Sequence, residues 1–383
     1  MKFLHISDLH IGKRVHEVSM LEDQRHILGQ ILSIADERHT DGVLISGDVY
    51  DKSIPPAEGV TLFDEFLTGL HRLGQKVFII SGNHDSAERL DFGRQLMEQS
   101  HIYICGSFQG TLPRVTLKDD WGPLNVYLLP FLKPAWVSQY YEGIETYQDA
   151  VAAVIRQAQI PLDERNILLS HQFVTNGGLL PDTCESETIN VGGLDNVDCS
   201  VYQDFDYVAL GHLHGPQRVG SDQNAIRYSG SPLKYSFSEA QQKKSVALVE
   251  LAAKGSVSVE LIPLTPLRDL RKIRGPIAAL LDPDNYQKAD VNDYIHATLT
   301  DEEEIYDAIG RLRSVYPNVL RLEFDNSRTV SADGGRLAAE HLEEKGPLEL
   351  FSDFYQAQNN VPMGEDQIAL LTRLIKELGG ERS

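Results

Sequence analysis

Cysteine is scarce in this chain of 383 residues: Cys105, Cys184 and Cys199 stand far apart and form no C-x-x-C pair. That excludes a disulfide framework and a zinc ribbon, and the three thiols read as small core or surface residues. No run of about 18 apolar residues occurs, so no hydrophobic membrane span is expected. The opening MKFLHISDLH reads as a strand running into a motif rather than as a signal peptide, and a cytoplasmic protein without a membrane partner is expected. G-x-x-x-x-G-K-[ST] is missing as well, so the chain by itself is no P-loop ATPase. Positive charge is in deficit, with 35 Lys and Arg against 56 Asp and Glu and a net charge of -21. Taken alone this argues against a polyanionic substrate, because non-specific nucleic-acid affinity comes largely from cations that neutralise phosphates. Divalent ions at a site, or a basic partner, would supply the missing charge.

The 42% hydrophobic content is ordinary for a globular protein, and the length exceeds one usual domain. Phe3–Ile6, Val43–Ile45, Val77–Ile80, Asn166–Leu169 and Tyr207–Leu210 are apolar runs bounded by Gly, Asp or Asn, the pattern of buried strands. Leu21, Leu28, Ile31, Leu32 and Ala35 recur at helical spacing, and a second helix is expected over Ala57–Leu73. Strands alternating with helices imply a layered α/β domain over residues 1–265. Pro263–Pro276, with three prolines and four basic residues, reads as a linker. Beyond it, residues 276–325 form a small α/β unit with strands at Tyr294–Leu299 and Val319–Phe324 around a helix over Asp301–Val315. A polar break at Asp333-Gly334-Gly335 precedes the C-terminal segment 340–383, with amphipathic helices at about 347–359 and 364–379.

The chemistry lies where the apolar runs end. Asp8-Leu9-His10 follows the first, Gly47-Asp48 the second and Gly82-Asn83-His84-Asp85 the third; His171 and Gly211-His212-Leu213-His214 end the last two. Strand termini are where an open α/β sheet places its site. A lone D-x-H arises easily by chance, but five such elements in order do not. Asp8, His10, Asp48, Asn83, His171, His212 and His214 offer four imidazoles, two carboxylates and an amide oxygen. This N and O mixture suits Mn, Fe or Zn better than Mg or Ca, and the lack of thiolates argues against structural zinc.

The ordered set DLH, GDVYD, GNHD, SH and GHLH, spanning about residues 5–215, resembles the signature of the calcineurin-like metallophosphoesterases. LHISDLHIG, ISGDVYD and GHLH followed by YSGSPLKYSF at Tyr228–Phe237 resemble the SbcD family within them. The resemblance implies a layered β-sandwich flanked by helices, with residues 276–325 as a small capping, DNA-binding domain. It also implies that Asp8, His10, Asp48 and His214 hold one divalent ion and Asp48, Asn83, His171 and His212 a second. Asp48 would then bridge two Mn2+ ions, each oxygen able to bind. Two such ions orient a phosphodiester and activate water, and His84, beside Asn83, would be the general acid that protonates the leaving alkoxide. Asp85 either orients that imidazole or accepts backbone N–H groups. The implied activity is a DNA nuclease, a double-strand 3'-5' exonuclease and single-strand and hairpin endonuclease in DNA replication, recombination and repair. The implied partners are DNA, an SbcC-type ATPase and a second copy of the chain, the last through helices including the segment after Ala87.

Lys13, Arg14 and Arg89 lie close enough to the motifs to touch a phosphate, although solvated loops account for them nearly as well. Ser231 reads as part of a plain turn. Leu348, Phe351 and Tyr355 on one helix, and Ile368, Leu371, Leu374, Ile375 and Leu378 on the next, form apolar faces for the ATPase or for their own domain. Two rivals are a small-molecule phosphodiesterase with the same motifs, which would suit the acidic charge, and a non-catalytic scaffold, which the complete ligand set disfavours.

Overall fold

The computed structural model describes residues 1–187, 195–220, 225–326, 347–359 and 362–379. They fall into two units, Met1–Asp269 and Leu270–Ser383. In the first, two six-stranded sheets face each other. One runs, edge to edge, Val257–Pro263, Ser245–Leu251, Lys2–Ile6, Gly42–Ser46, Lys76–Ile80 and Ile102–Cys105; the other runs Gln217–Val219, Ala225–Tyr228, Tyr207–Gly211, Arg165–His171, Gly122–Leu129 and Arg114–Asp119.

The central strands Gly42–Ser46, Arg165–His171 and Tyr207–Gly211 are buried along their whole length because both faces are covered. In Arg165–His171, Ile167 and Leu169 point between the sheets, where they meet Phe3, Leu44, Phe78, Tyr207 and Ala209. Leu168 points the other way and packs with Val151, Val154 and Ile155 of helix Tyr147–Gln157. That helix starts with a capping box, Thr146 accepting from the backbone of Asp149, whose carboxylate accepts from Thr146. Helices Leu21–Glu37 and Ala57–Arg72 pair with each other; of the stripe that the spacing predicts, Leu28, Ile31 and Ala35 are buried and Leu21 and Leu32 half-buried, and Ile27, Leu62, Phe66 and Leu70 are buried beside them.

The second unit begins inside the stretch read as a linker. Leu270–Gly275 is the edge strand of a parallel three-stranded sheet with Tyr294–Leu299 and Val319–Phe324. Its outward Lys272 and Arg274 give it the charge of a loop, yet such residues are what an edge strand carries. The preceding residues are anchored too: Thr265 accepts from His26 and Gln30, and Arg268 pairs with Glu22 and Asp23. The helix expected over Asp301–Val315 is shorter, Ala308–Arg313. The Asp301 carboxylate accepts from the Ile277 backbone instead, and Asp307 caps the helix from a left-handed conformation. Ile277, Leu280, Ile295, Leu312 and Val319 share one core. The C-terminal helices are Pro347–Asn359 and Glu365–Gly379. Asp333-Gly334-Gly335 and the side chain of Leu378 lie outside the described residues. Among the described residues no helix is long and apolar enough to cross a membrane.

Candidate metal centre

Lys2–Ile6, Gly42–Ser46 and Lys76–Ile80 are parallel neighbours in one sheet, and Arg165–His171 and Tyr207–Gly211 in the other. Their C-terminal ends meet, so the five motifs converge between two sheets rather than along one open sheet. His171 Nδ1 donates across the gap to the Ser46 carbonyl at 2.8 Å. The loops after the first two strands run side by side, Asp8 N–H donating to Gly47 O and His10 N–H to Asp48 O. Turning straight off a strand demands unusual backbone: Asp8, His10, Asp48 and His212 all have positive φ, at 53°, 43°, 49° and 109°. Such conformations cost about 1–3 kcal/mol each and persist only where the surroundings hold them. Gly82 has a different task, since a Cβ there would collide with the Asp48 carboxylate.

The seven donors gather in this pocket. His10 Nε2 and His214 Nε2 are 3.1 Å apart, and Asp8, His10 and His214 form one tight group. Asn83 Oδ1 lies 3.1 Å from His171 Nε2 and 3.1 Å from His212 Nδ1. Asp48 Oδ2 stands between the two groups, 3.7 Å from His10 Nε2 and 3.4 Å from His171 Nε2. Adjacent ligands of an ion bound at about 2.0–2.2 Å sit about 3 Å apart, so these spacings fit divalent ions in both groups. The oxygens of Asp48 are not equivalent: Oδ1 accepts from the His84 backbone at 2.9 Å, leaving Oδ2 alone to face both groups.

Electrostatics agree with a cation site. Burial, reinforced by the Asp48 charge, outweighs the neighbouring imidazoles and raises the Asp8 carboxyl to about 6. Burial also pushes Asp48 up, but the His171 and His10 imidazoles outweigh it and hold that carboxylate well below its ordinary range. For His171, burial is overcome by the Asp48 and Asp8 charges, which raise it to about 9. Burial drives His10 well below its usual value and His212 down to about 3, leaving neutral imidazoles with lone pairs to offer.

Outside the donors lies a set of supports that spacing does not reveal. His214 Nδ1–H donates to Ser186 Oγ at 2.8 Å, Ser186 donates to Glu239 Oε1 at 2.6 Å, and buried Lys244 pairs with Glu239 Oε2 at 2.6 Å. This chain sets the His214 tautomer and turns Nε2 toward His10. Ser7 bridges Ser229 and Asp8, while Gln24 donates to the carbonyls of Leu9 and His10. His84 sits at the half-buried mouth, its Nδ1–H donating to the Asp51 carbonyl at 3.0 Å. Asp85 takes the second of its two roles: it accepts from the Val49, Tyr50 and Gly82 backbones, and the His84 ring is oriented by Asp51. Asp51 is the last residue of GDVYD, the one signal that pointed to it.

Lys13 reaches the mouth, paired with Asp51 at 2.8 Å. Arg14 is exposed and turned onto Glu17, and Arg89 is exposed on the short helix Ala87–Leu90 with no contact to the donors. Ser231 serves its turn, donating to the Leu233 carbonyl and accepting from Lys244. On the C-terminal helices Phe351 and Leu374 are exposed, Leu348, Leu371 and Ile375 half-buried, and Tyr355 accepts from Gln367.

Residues 1–216 match the family described as calcineurin-like phosphoesterase, and residues 266–359 match one described as type 5 capsule protein repressor C-terminal domain. The chain is 33% identical over 340 residues to the SbcD subunit of the SbcCD nuclease from Staphylococcus epidermidis, covering 86% of this chain and 88% of that one. Among solved structures, TT1561 of Thermus thermophilus aligns with a TM-score of 0.40 at 14% identity, over 68% of this chain and 98% of its own. A dimetal phosphatase from Danio rerio aligns with a TM-score of 0.38 at 13% identity, over 69% of this chain and 99% of its own.

Proposed function

Because the chain belongs to the calcineurin-like phosphoesterases, and within them to the SbcD family, we propose that it is a DNA nuclease working with an SbcC-type ATPase. The observation that carries this is the position of Asp48 Oδ2 between two donor groups, a layout suited to two adjacent cations. Asp8, His10, Asp48 and His214 would hold one ion, and Asp48, Asn83, His171 and His212 the other; Mn2+ would suit the N and O donors. When bound, the pair supplies Lewis acidity toward a phosphodiester and an activated water. His84, oriented through Nδ1 by Asp51, presents Nε2 at the mouth and protonates the departing alkoxide oxygen. Lys13 steadies the phosphate.

The finer activities we assign are 3'-5' exonuclease action on duplex ends and endonuclease action on single strands and hairpins, in the cytoplasm, during DNA replication, recombination and repair. The net charge of -21 is then offset at the scissile phosphate by the ions and elsewhere by partners. Residues 276–325 cap DNA, and the helices carrying Phe351, 45% exposed, and Leu374, 43% exposed, dock the ATPase. Exposure of 82% at Phe92 and 73% at Leu96 supports a homodimer through the segment after Ala87.

The test is cleavage of a hairpin-ended duplex with Mn2+, with and without the ATPase subunit and ATP, beside metal analysis of Asp48→Ala. We expect DNA cleavage, and loss of both ions in the variant. Turnover of bis-p-nitrophenyl phosphate alone would leave a small-molecule phosphodiesterase, and one tightly held ion in Asp48→Ala would refute the bridge.

A further inference from the structure

The loop after strand Gly122–Leu129 carries an aromatic path away from the metal centre. Phe131 meets the His171 ring edge-on at 6.3 Å, and Trp136 meets Phe131 at 6.4 Å. Lys133 Nζ lies 5.2 Å from the Trp136 ring centroid and makes no ion pair among the described residues. Trp136 is 43% and Tyr140 50% exposed. They open onto a cavity of about 220 Å³ whose other walls include Ala87, Glu88, Ser107, Phe108 and Gln139. Ala87 starts the helix that follows Gly82-Asn83-His84-Asp85, and the Phe131 N–H donates to the Ser81 carbonyl just before that turn, so the aromatic loop and the turn are neighbours.

The walls are held in place. The Tyr140 ring lies so close to Gly110 that a Cβ there would clash, and it meets Phe108 edge-on at 5.5 Å. The Asp91 carboxylate accepts from the Gly106 and Ser107 backbones at 2.7 and 3.0 Å, fixing the far wall. Whole-ligand pockets usually span about 300–1,000 Å³, so this one suits a single planar ring system. Exposed aromatic faces beside an unpaired cation, a short distance from phosphodiester chemistry, match the way single-stranded nucleic acid is held: bases stack on the rings and a cation follows the backbone.

Given the nuclease reading above, we propose that Trp136, Tyr140 and Phe108 form a pocket for one unpaired nucleobase adjoining the scissile phosphate, with Lys133 on its backbone. The occupant is a base of any identity, because stacking on the rings tolerates every base; of the polar groups in the walls, the Ser107 hydroxyl is already donated to Asp91 and the Glu88 carboxylate accepts from Ser86.

The chain has two tryptophans. Trp121→Phe therefore leaves Trp136 as the sole reporter in the full-length protein. Single-stranded oligothymidylate should quench it, and should bind roughly tenfold more tightly than the same backbone with abasic sites. Trp136→Ala should bring that ratio near one, and Trp136→Phe should keep most of it. Equal binding of the two probes by the parent, or a ratio that survives Trp136→Ala, overturns the pocket. Quenching by the purified ATPase subunit but not by the oligonucleotide would mark a protein contact and also overturn it. Oligonucleotide cleavage together with equal binding of base-bearing and abasic strands sinks the pocket alone; no oligonucleotide cleavage, with bis-p-nitrophenyl phosphate still hydrolysed, sinks the nuclease reading.

Discussion

The two oxygens of Asp48 have different tasks, and the difference shapes what single substitutions should do. Oδ1 is tied to the His84 backbone N–H, while Oδ2 faces both donor groups. His84→Ala keeps that N–H, so we expect two bound ions and a turnover lower by about 10²- to 10⁴-fold. Mass-spectrometric metal content with steady-state rates checks both halves, and an empty site in that variant would make His84 structural. Glu239 Oε1 lies 3.7 Å from His214 Nδ1 and accepts from Ser186, which in turn accepts from that nitrogen. Glu239→Gln should weaken one ion by about 10- to 100-fold and spare the other. Calorimetric titration of the metal-free protein would resolve the two sites, and equal weakening of both would contradict a role through His214.

At the scale of elements, the strands that deliver ligands at one end are clamped at the other. Arg165, at the start of the strand that ends in His171, is buried; it donates to both oxygens of Asp119, to Gly122 O and to Ala252 O, just past the end of strand Ser245–Leu251 of the facing sheet. Hydrogen bonds from Arg165 outweigh the modest burial of Asp119 and hold its carboxyl down at about 2, below the ordinary 3.8. A depressed carboxyl stabilises the fold above its unfolded pKa, so this contribution is complete above about pH 4 and fades as pH falls through about 2. Asp119→Asn should cost about 1.5–3 kcal/mol at neutral pH, read from urea unfolding. The gap between variant and parent should close on acidification through that window; a gap independent of pH would show that the charge is not what matters.

For the whole molecule, two units follow one another in sequence, and the seven candidate metal donors all come from the first. A chain ended after about residue 340 should therefore keep its metals and lose the ATPase subunit in co-purification; unchanged co-purification would move the docking surface elsewhere. By itself the sequence determined the strands that carry the five motifs, the order of the seven candidate donors, the two C-terminal helices and the family, because continuous apolar runs and residues at their ends leave linear patterns. Leu270–Gly275 escaped that reading because an edge strand with charged outward residues looks like a loop. Only the tertiary structure decided that the motifs meet between two sheets, that Asp48 faces both groups with one oxygen, and that Asp85 serves the backbone. It alone brought Ser186, Glu239 and Lys244 behind His214 and set Phe131 against both Trp136 and His171. Those relations join residues far apart in the chain through distance and direction, and neither has a periodicity to read.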